Sequence, residues 1–332
     1  MACHALATTF NGEQAICLRA GQYEAYILPH IGANLIAFRD VENHYQFLHE
    51  PKPEEMEQFK QYPMIHGIPV LFPPNRYQDG KFAVNGKTYR LPVNEPGTGN
   101  HLHGFLYNIP WQVAGFYAGD AESSAELVQH VNEQHGMYSY FPHHFTITLR
   151  YTLTEAKLIQ HVAVKNMGPD EMPCMLGFHT SINAPFAPGS TADDCTLTLT
   201  IGKRWELDER MLPTGKFAPL DEHELAMKST GVSPYFAALD HHYTADAQNG
   251  SNRMELADSR AKVRLVYDVG EAYRHWMLYN GKASREFFCP EPQIGMVNAP
   301  NVDLPPETTG LCLLKPNEVW EASSHFVVEQ IS

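Results

Sequence analysis

Glu291, held between two prolines, is a candidate catalytic carboxylate. It lies in Phe287-Phe-Cys-Pro-Glu-Pro-Gln-Ile-Gly295, and Gln293 follows two residues later. The prolines restrict the backbone and so fix the direction in which the carboxylate points. Aromatic and apolar neighbours would raise its pKa, which suits a general base. The alternative interpretation is an exposed loop acid.

Two histidine-containing segments supply candidate proton donors and acceptors. In Asn100-His-Leu-His-Gly104, His101 and His103 are two residues apart, so on a strand they would share a face and converge on one ligand. His179 lies in an apolar strand close to a loop. A single histidine in such a strand is more often a core residue with satisfied hydrogen bonds than a catalytic group, so that alternative stays open.

A third group of residues suits the binding of a polar ligand. The apolar segment at residues 67–72 runs into two prolines and then delivers Asn75 and Arg76, while Asp240 begins the polar run Asp240-His-His-Tyr243. The guanidinium of Arg76 presents a rigid fork of donors that suits sugar hydroxyls or a carboxylate. The alternative is a surface arginine in an ordinary ion pair.

The composition of the chain argues against several classes of partner. Its 332 residues include 24 Lys and Arg against 38 Asp and Glu, a net charge of −14 at pH 7. Nucleic acids and anionic membranes are bound through clustered Lys and Arg, so we expect neither as a partner. No apolar run is long enough to cross a membrane, and the first residues lack the pattern of a secretion signal. We therefore expect a cytoplasmic protein.

Eighteen histidines suggest a metal site, but their spacing does not favour one. His143-His144 and His241-His242 are adjacent pairs, whose side chains point to opposite faces of a strand and make poor chelates. The six cysteines include no C-x-x-C pair, and neither a P-loop nor a G-x-G-x-x-G motif is present. We predict neither a metal nor a cofactor.

The elements that must position these residues are predicted to be strands. Apolar residues alternate at every odd position over residues 145–153, and Asn85-Gly86 predicts a two-residue turn in a hairpin over residues 82–91. Helical signals are short and few, at residues 53–60 and residues 220–227. With 24 prolines and 23 glycines, the chain is typical of many short strands joined by turns. We predict an all-β fold, a large antiparallel β-sandwich that forms a single domain over residues 1–332.

Taken in order, the polar segments resemble the motifs of the aldose 1-epimerase (galactose mutarotase) family. The resemblance covers nearly the whole chain and rests on Asn75-Arg76 followed by Asn85-Gly86-Lys87; Asn100-His-Leu-His-Gly104 before Trp111; His179 with Asn183; Leu212-Pro-Thr-Gly215; Asp240-His-His-Tyr243; and Glu291-Pro-Gln293 before Asn298-Ala-Pro-Asn301. It implies a galactose mutarotase-like β-sandwich that interconverts the α and β anomers of a free aldose.

The resemblance also implies roles for individual residues. Glu291 matches the general base of the family, His179 the general acid and His103 the second active-site histidine. The predicted substrate-binding residues are Asn75, Arg76, Asp240 and Gln293.

The reaction needs one proton acceptor and one proton donor. The anomeric hydroxyl loses a proton while the ring oxygen gains one, so the ring opens, and the aldehyde rotates and closes again from its other face. A carboxylate and an imidazolium on opposite sides of the sugar would suffice, since their usual pKa values of about 4.3 and 6.5 give workable states near neutrality. The expected partner is a small-molecule sugar, and we expect either a monomer or a homodimer.

Four positions depart from the family motifs. Ser181 and Ile182 replace Tyr and Phe, Phe105 stands where a glycine is expected, and Asn298 replaces an acid. We expect these changes to alter the walls of the pocket while leaving the acid and the base in place. The identity of the sugar therefore stays open.

Two alternative functions also stay open. A hexose-6-phosphate mutarotase would need extra cations at the pocket, for which Arg39, Lys203 and Arg204 are candidates. A non-catalytic carbohydrate-binding protein on the same fold would have no need for both His179 and Glu291.

Overall fold

Antiparallel strands dominate the computed structural model, which describes residues 3–332. Met1 and Ala2, which belong to the segment interpreted above as lacking a secretion signal, lie outside the described residues. The pattern of burial explains the strands: over Lys157–Asn166 every second side chain is buried, as expected for a strand with one face on the core. The predicted all-β class is confirmed.

The strands and helices of residues 3–332 are short. In chain order the strands are β1 (His4–Phe10), β2 (Glu13–Ala20), β3 (Tyr23–Leu28), β4 (Asn34–Asp40), β5 (Tyr45–Gln46), β6 (Val70–Leu71), β7 (Arg76–Gln78), β8 (Lys81–Val84), β9 (Lys87–Arg90), β10 (Asn100–Leu102), β11 (Gln112–Ala118), β12 (Glu122–Val131), β13 (Phe145–Thr154), β14 (Lys157–Asn166), β15 (Met172–Cys174), β16 (Gly177–Phe178), β17 (Ile182–Asn183), β18 (Cys195–Leu199), β19 (Ile201–Leu207), β20 (Pro213–Ala218), β21 (Asp240–Ala245), β22 (Arg253–Asp258), β23 (Val263–Asp268), β24 (His275–Tyr279), β25 (Phe287–Gln293), β26 (Cys312–Leu314) and β27 (Val319–Gln330). The α-helices are α1 (Met56–Gln61), α2 (Glu222–Met227) and α3 (Pro306–Thr309).

Three larger sheets are formed by these strands within residues 3–332. One has five strands in the order β1-β2-β3-β4-β5, and a second has eight in the order β11-β12-β13-β14-β27-β23-β22-β18. The third runs β20-β19-β21-β24-β25-β16-β6, with β17 also paired to β25. The named strand pairs are antiparallel, including those formed by β25, the strand that carries Glu291.

Aromatic side chains join the sheets into a sandwich. Tyr267 on β23 stacks on Phe326 of β27, with ring centroids 4.2 Å apart, and meets Trp276 of the facing sheet at 6.5 Å. Phe326 also contacts Phe38 of the five-stranded sheet, at 6.1 Å. Large aromatic groups at these junctions remove much apolar surface from water, which is the main source of stability. The predicted antiparallel β-sandwich is confirmed.

The local predictions agree with the structure. The hairpin over residues 82–91 is formed by β8 and β9, and its turn places Asn85 and Gly86 at φ angles of 49° and 76°, as a type I′ turn requires. The helix predicted at residues 53–60 is observed as a 3₁₀ turn over Pro53–Glu55 followed by α1. The signal at residues 220–227 becomes α2, whereas α3 was not predicted.

A search for membrane-spanning helices within residues 3–332 finds none with the required length and apolarity.

Candidate active site

One cavity of about 240 Å³ collects most of the predicted site residues. It is lined by Tyr62, Met64, Ile65, Asn75, Arg76, Glu95, Leu102, His103, His179, Asp240, Tyr279 and Glu291. Of the seven residues predicted to form the site, six are in this set, and Gln293 is not. The lining residues come from strand ends and loops, except Glu291, which lies in the middle of β25.

Glu291 and His179 touch each other at the most buried part of the cavity. His179 Nε2 lies 3.3 Å from Glu291 Oε1, and both side chains are buried. The backbone of His179 is held because its N–H donates to the carbonyl of Pro69 at 3.0 Å. Two groups in contact cannot hold a ligand from opposite sides, so the expected arrangement of acid and base was wrong. Both lie on one wall, where they can reach two neighbouring atoms of a ligand.

Burial shifts the pKa values of this pair in opposite directions. Burial, followed by the nearby charge of Asp240, raises the pKa of Glu291 well above its usual value, although Arg76 opposes the shift. Burial also lowers the pKa of His179 to about 4. The low-dielectric surroundings penalise the charged form of each group, which is what a site requires when it moves protons near neutral pH.

His103 reaches the cavity because β10 ends one residue before it. Its φ angle is 65°, its N–H donates to the carbonyl of Asn75 at 3.0 Å, and its ring meets that of His179 edge-on at 5.2 Å. Gly104 permits this turn, since a Cβ there would lie 2.1 Å from the carbonyl oxygen of Phe72. Burial lowers the pKa of His103, which therefore stays neutral.

His101 does not join His103 at the cavity, so the expectation that they converge on one ligand was wrong. Its Nδ1 lies 2.8 Å from the carbonyl oxygen of Pro92, and its ring packs on Phe105 at 5.0 Å. The two-residue periodicity holds only within a strand, and the backbone leaves the strand between the two histidines.

Arg76 is held by two carboxylates at the edge of the cavity. Its Nε and Nη2 atoms lie 3.0–3.1 Å from the carboxylate oxygens of Glu95, and Nη2 lies 3.6 Å from Asp240 Oδ2. Glu95 also accepts a hydrogen bond from Thr98. Burial alone would raise the pKa of Glu95, but the hydrogen bonds from Arg76 and Thr98 lower it, so the carboxylate stays ionised. The neighbouring Asn75 accepts a hydrogen bond from the Arg76 N–H at 2.9 Å.

Gln293 lies on β25, two residues beyond Glu291, but outside the lining of the cavity. Its side chain is buried, and neither amide atom has a hydrogen-bond partner among residues 3–332. Its Cγ lies against Gly177 on β16, where a Cβ would be only 3.1 Å away. The prediction that Gln293 binds substrate therefore stays a prediction.

None of the four positions that depart from the family motifs lines the cavity, contrary to expectation. Phe105 stacks on Tyr140 at 5.3 Å, and Ile182 packs in the core. Ser181 is buried behind the wall, where its hydroxyl donates to the carbonyl of the lining residue Met64 at 3.4 Å. Asn298 caps a turn and accepts a hydrogen bond from the Gln78 N–H at 3.1 Å.

Sequence reasoning missed several lining residues, of which Glu95 and Tyr62 matter most. Glu95 had a usable signal, since it precedes a proline in Asn-Glu-Pro-Gly, just as Glu291 precedes one. Tyr62 follows α1 and Tyr279 ends β24, and neither lies in a recognisable motif.

Within residues 3–332, no group of three or more His, Cys, Asp or Glu side chains is placed to hold a metal ion. The adjacent histidines point apart as predicted: His143 is buried against the Tyr89 hydroxyl at 2.7 Å, while His144 faces Glu133 at the surface at 2.8 Å.

Comparison with known proteins connects this chain to one family. The model of the aldose 1-epimerase family matches residues 14–327. A galactose mutarotase-like protein from Clostridium acetobutylicum has the same fold, with a TM-score of 0.95 and 31% identity over 99% of both chains.

Two curated relatives match over shorter stretches. The uncharacterized protein YihR of Escherichia coli K12 is 28% identical over 203 residues, 60% of this chain and 59% of YihR. Galactose mutarotase of Rattus norvegicus is 27% identical over 173 residues, 50% of this chain and 46% of the rat protein. The matches thus span about half of each relative, whereas the family match extends across nearly the whole chain. The chain belongs to the aldose 1-epimerase family.

Proposed function

We propose that this protein interconverts the α and β anomers of an uncharged free aldose by general acid and base catalysis. The observation that carries the proposal is the buried contact of 3.3 Å between His179 and Glu291 at the end of a sugar-sized cavity. The two oxygens that exchange protons in mutarotation are bonded to one carbon, so two adjacent groups on one wall can serve both. We call His179 and Glu291 the acid–base pair.

The acid–base pair needs to hold one proton between its two members. With Glu291 ionised and His179 protonated, the carboxylate takes the proton of the anomeric hydroxyl while the imidazolium protonates the ring oxygen. The ring then opens, and the aldehyde rotates before the same transfers run in reverse and return the proton. The raised pKa of Glu291 makes its carboxylate a stronger base, and the lowered pKa of His179 makes its imidazolium a stronger acid, so both shifts favour ring opening. The same shifts make the ionised pair the less populated of the two forms in which the pair holds one proton.

The charges around the cavity support an uncharged sugar rather than a hexose 6-phosphate. Arg76 is the only Lys or Arg among the described lining residues, and Glu95 and Asp240 already neutralise it. Adding a phosphate to this carboxylate-rich site would require cations that are engaged elsewhere. Arg39 is paired with Glu50, Arg204 with Glu224, and Lys203 lies over the ring of Phe217.

The burial of the acid–base pair favours an enzyme over a non-catalytic sugar-binding protein. Removing a carboxylate and an imidazole from water costs free energy, and neither group is needed merely to hold a sugar. Binding alone could rest on the more exposed Arg76, Glu95 and Asp240 at the edge of the cavity.

Anomer exchange measured by NMR on glucose, galactose and their 6-phosphates tests the proposal. We expect acceleration over buffer for at least one free sugar and much weaker acceleration for the 6-phosphates. Sugar binding without acceleration would instead identify a binding protein, and faster exchange of the 6-phosphates would contradict the charge argument.

A further inference from the structure

We propose that Cys174 and Cys312 form a dithiol that a hydroperoxide oxidises to an intramolecular disulfide, and that this bridge stabilises the fold without closing the active site. The inference concerns a modification site outside the cavity and does not depend on the proposed function. It is carried by the strand register that places the two cysteines opposite each other and by the difference in their burial.

The fold brings together two cysteines that are far apart in the sequence. β15 and β26 form a two-stranded antiparallel sheet, and its register places Cys174 directly opposite Cys312. Opposed residues in an antiparallel pair have Cα atoms about 4.5–5.5 Å apart, which lies within the separation of about 4.4–6.8 Å that a disulfide spans. Opposed side chains also lie on the same face of the sheet. A bridge can therefore form by rotation of the side chains, without movement of the backbone.

This arrangement distinguishes the pair from the other cysteines. Among the cysteines of residues 3–332, only Cys174 and Cys312 oppose each other in a strand pair. Each of the other four thiols has a hydrogen bond with an oxygen atom instead, namely those of Cys3, Cys17, Cys195 and Cys289. The structure therefore offers one intramolecular pairing.

The two thiols differ as an attacking and a resolving cysteine should. Cys312 is half-buried, so an oxidant can reach it, whereas Cys174 is only 1% exposed. A hydrogen bond with Cys174 lowers the pKa of Cys312, and Arg274 adds to this shift, whereas burial and the charge of Glu318 oppose it. Burial raises the pKa of Cys174, which therefore stays a thiol and donates that hydrogen bond. Because the thiolate is the reactive form, Cys312 should react first.

The oxidation takes two steps and consumes one hydroperoxide per bridge. The Cys312 thiolate attacks the terminal oxygen of the hydroperoxide, the O–O bond breaks, and the leaving alkoxide or hydroxide takes up the proton that Cys312 had released. The Cys174 sulfur then attacks the resulting sulfenic acid, the S–O bond breaks, and hydroxide leaves with the Cys174 proton as water. Two thiols thus lose two electrons to the hydroperoxide, which ends as water and an alcohol, or as two waters.

The bridge lies beside the active site but outside it, because neither cysteine lines the cavity. Just after β15, the carbonyl of Leu176 accepts a hydrogen bond from the Ile294 N–H at 3.0 Å. Shortly before β26, the carbonyl of Thr309 accepts one from the Met296 N–H at 2.7 Å. Both segments are thus already fastened to the chain that follows β25, so a disulfide changes the folded state little. Its main effect is to close a long loop in the unfolded chain, which favours the folded state.

The test treats the reduced protein with hydrogen peroxide and maps its cysteines by mass spectrometry of peptides under non-reducing conditions. We expect a peptide pair that joins Cys174 to Cys312 and is lost on treatment with dithiothreitol, while four of the six thiols stay free. The midpoint of urea unfolding should rise on oxidation, and the rate of anomer exchange should be unchanged. The peptide and urea measurements need no activity, so they test the bridge even if the proposed function fails.

Three variants identify the roles of the thiols. Cys312→Ser should abolish both the bridge and the shift in urea midpoint. Cys174→Ser should stop at the sulfenic acid of Cys312, which dimedone traps. Cys3→Ser, which removes a thiol before β1, is the matched control and should keep both the bridge and the shift.

Several results would overturn the inference. If Cys312 is oxidised only to sulfinic or sulfonic acid, or if bridges form only between two copies of the chain, Cys174 is not its partner. Equal urea midpoints for the bridged and the reduced protein would refute the stabilising role. A loss of anomer exchange on oxidation that Cys312→Ser prevents would show that the bridge does close the active site.

Discussion

Replacing Glu291 by glutamine removes one member of the acid–base pair while keeping the size of the side chain. An amide neither takes nor gives a proton under these conditions, so one of the two proton transfers loses its catalyst. Such a transfer contributes about 10²–10⁴-fold, and a decade in rate corresponds to about 1.36 kcal/mol. We therefore expect kcat/KM for anomer exchange to fall about 10²–10⁴-fold, or about 2.7–5.4 kcal/mol in transition-state stabilisation.

The same substitution should not lower the free energy of unfolding. The pKa of Glu291 is raised in the folded state, so its contribution to stability is fully present below its unfolded pKa and is lost as the pH rises through the folded value. At neutral pH the buried carboxyl group of Glu291 therefore lowers the free energy of unfolding, and a neutral amide removes this cost. Urea unfolding followed by tryptophan fluorescence, beside NMR exchange rates, measures both quantities in one preparation.

Glu224→Gln is the matched control, because Glu224 is a fully buried carboxylate outside the cavity. It accepts hydrogen bonds from Arg204 Nη1 at 2.9 Å and from the Tyr243 hydroxyl at 2.7 Å. Weakening these bonds should cost about 1–3 kcal/mol of stability without changing kcat/KM of the folded protein. If Glu291→Gln instead loses less than tenfold in kcat/KM, Glu291 is not the base and the proposed roles are wrong.

Three further predictions concern pH, substrate affinity and backbone strain. The kcat/KM for a free aldose should stay level from neutrality down to about pH 5 and fall near pH 4, because His179 is then protonated while Glu291 still holds its own proton and the pair has no base left. A fall of kcat/KM near pH 6.5 instead would show that His179 keeps its usual pKa. Arg76→Lys should raise KM about tenfold with little change in kcat, because one ammonium cannot reproduce the two-pronged contact with Glu95; a loss confined to kcat in steady-state assays would contradict this. Gly104→Ala should cost clearly more stability in urea unfolding than Gly86→Ala, which has a similar φ but open space around it and should cost about 1 kcal/mol; equal costs would refute the clash at 2.1 Å.

The strands and turns of this protein follow from local rules, which is why they were predictable. Alternation over residues 145–153 marks β13, and Asn85-Gly86 marks the β8–β9 turn, because a pleated strand and a type I′ turn each impose their requirements on neighbouring residues. α3 escaped prediction because its four residues, Pro306–Thr309, carry no helical periodicity.

The types and order of the catalytic candidates were also present in the sequence, and six of the seven predicted site residues share one cavity. The sequence alone determined the family resemblance, the antiparallel class and the identity of the proton-transfer candidates. Those conclusions depend on residue types and spacing along the chain, and both can be read without a fold.

Only the tertiary structure decided which groups meet and in what surroundings. It placed His179 against Glu291 on one wall and turned His101 away where β10 ends. It also paired Arg76 with Glu95 and brought Tyr62 to the cavity from the end of α1. The physical reason is that contact, burial and pKa depend on distances between segments far apart in the chain. Those distances are set by how the sheets pack, and no local pattern records them.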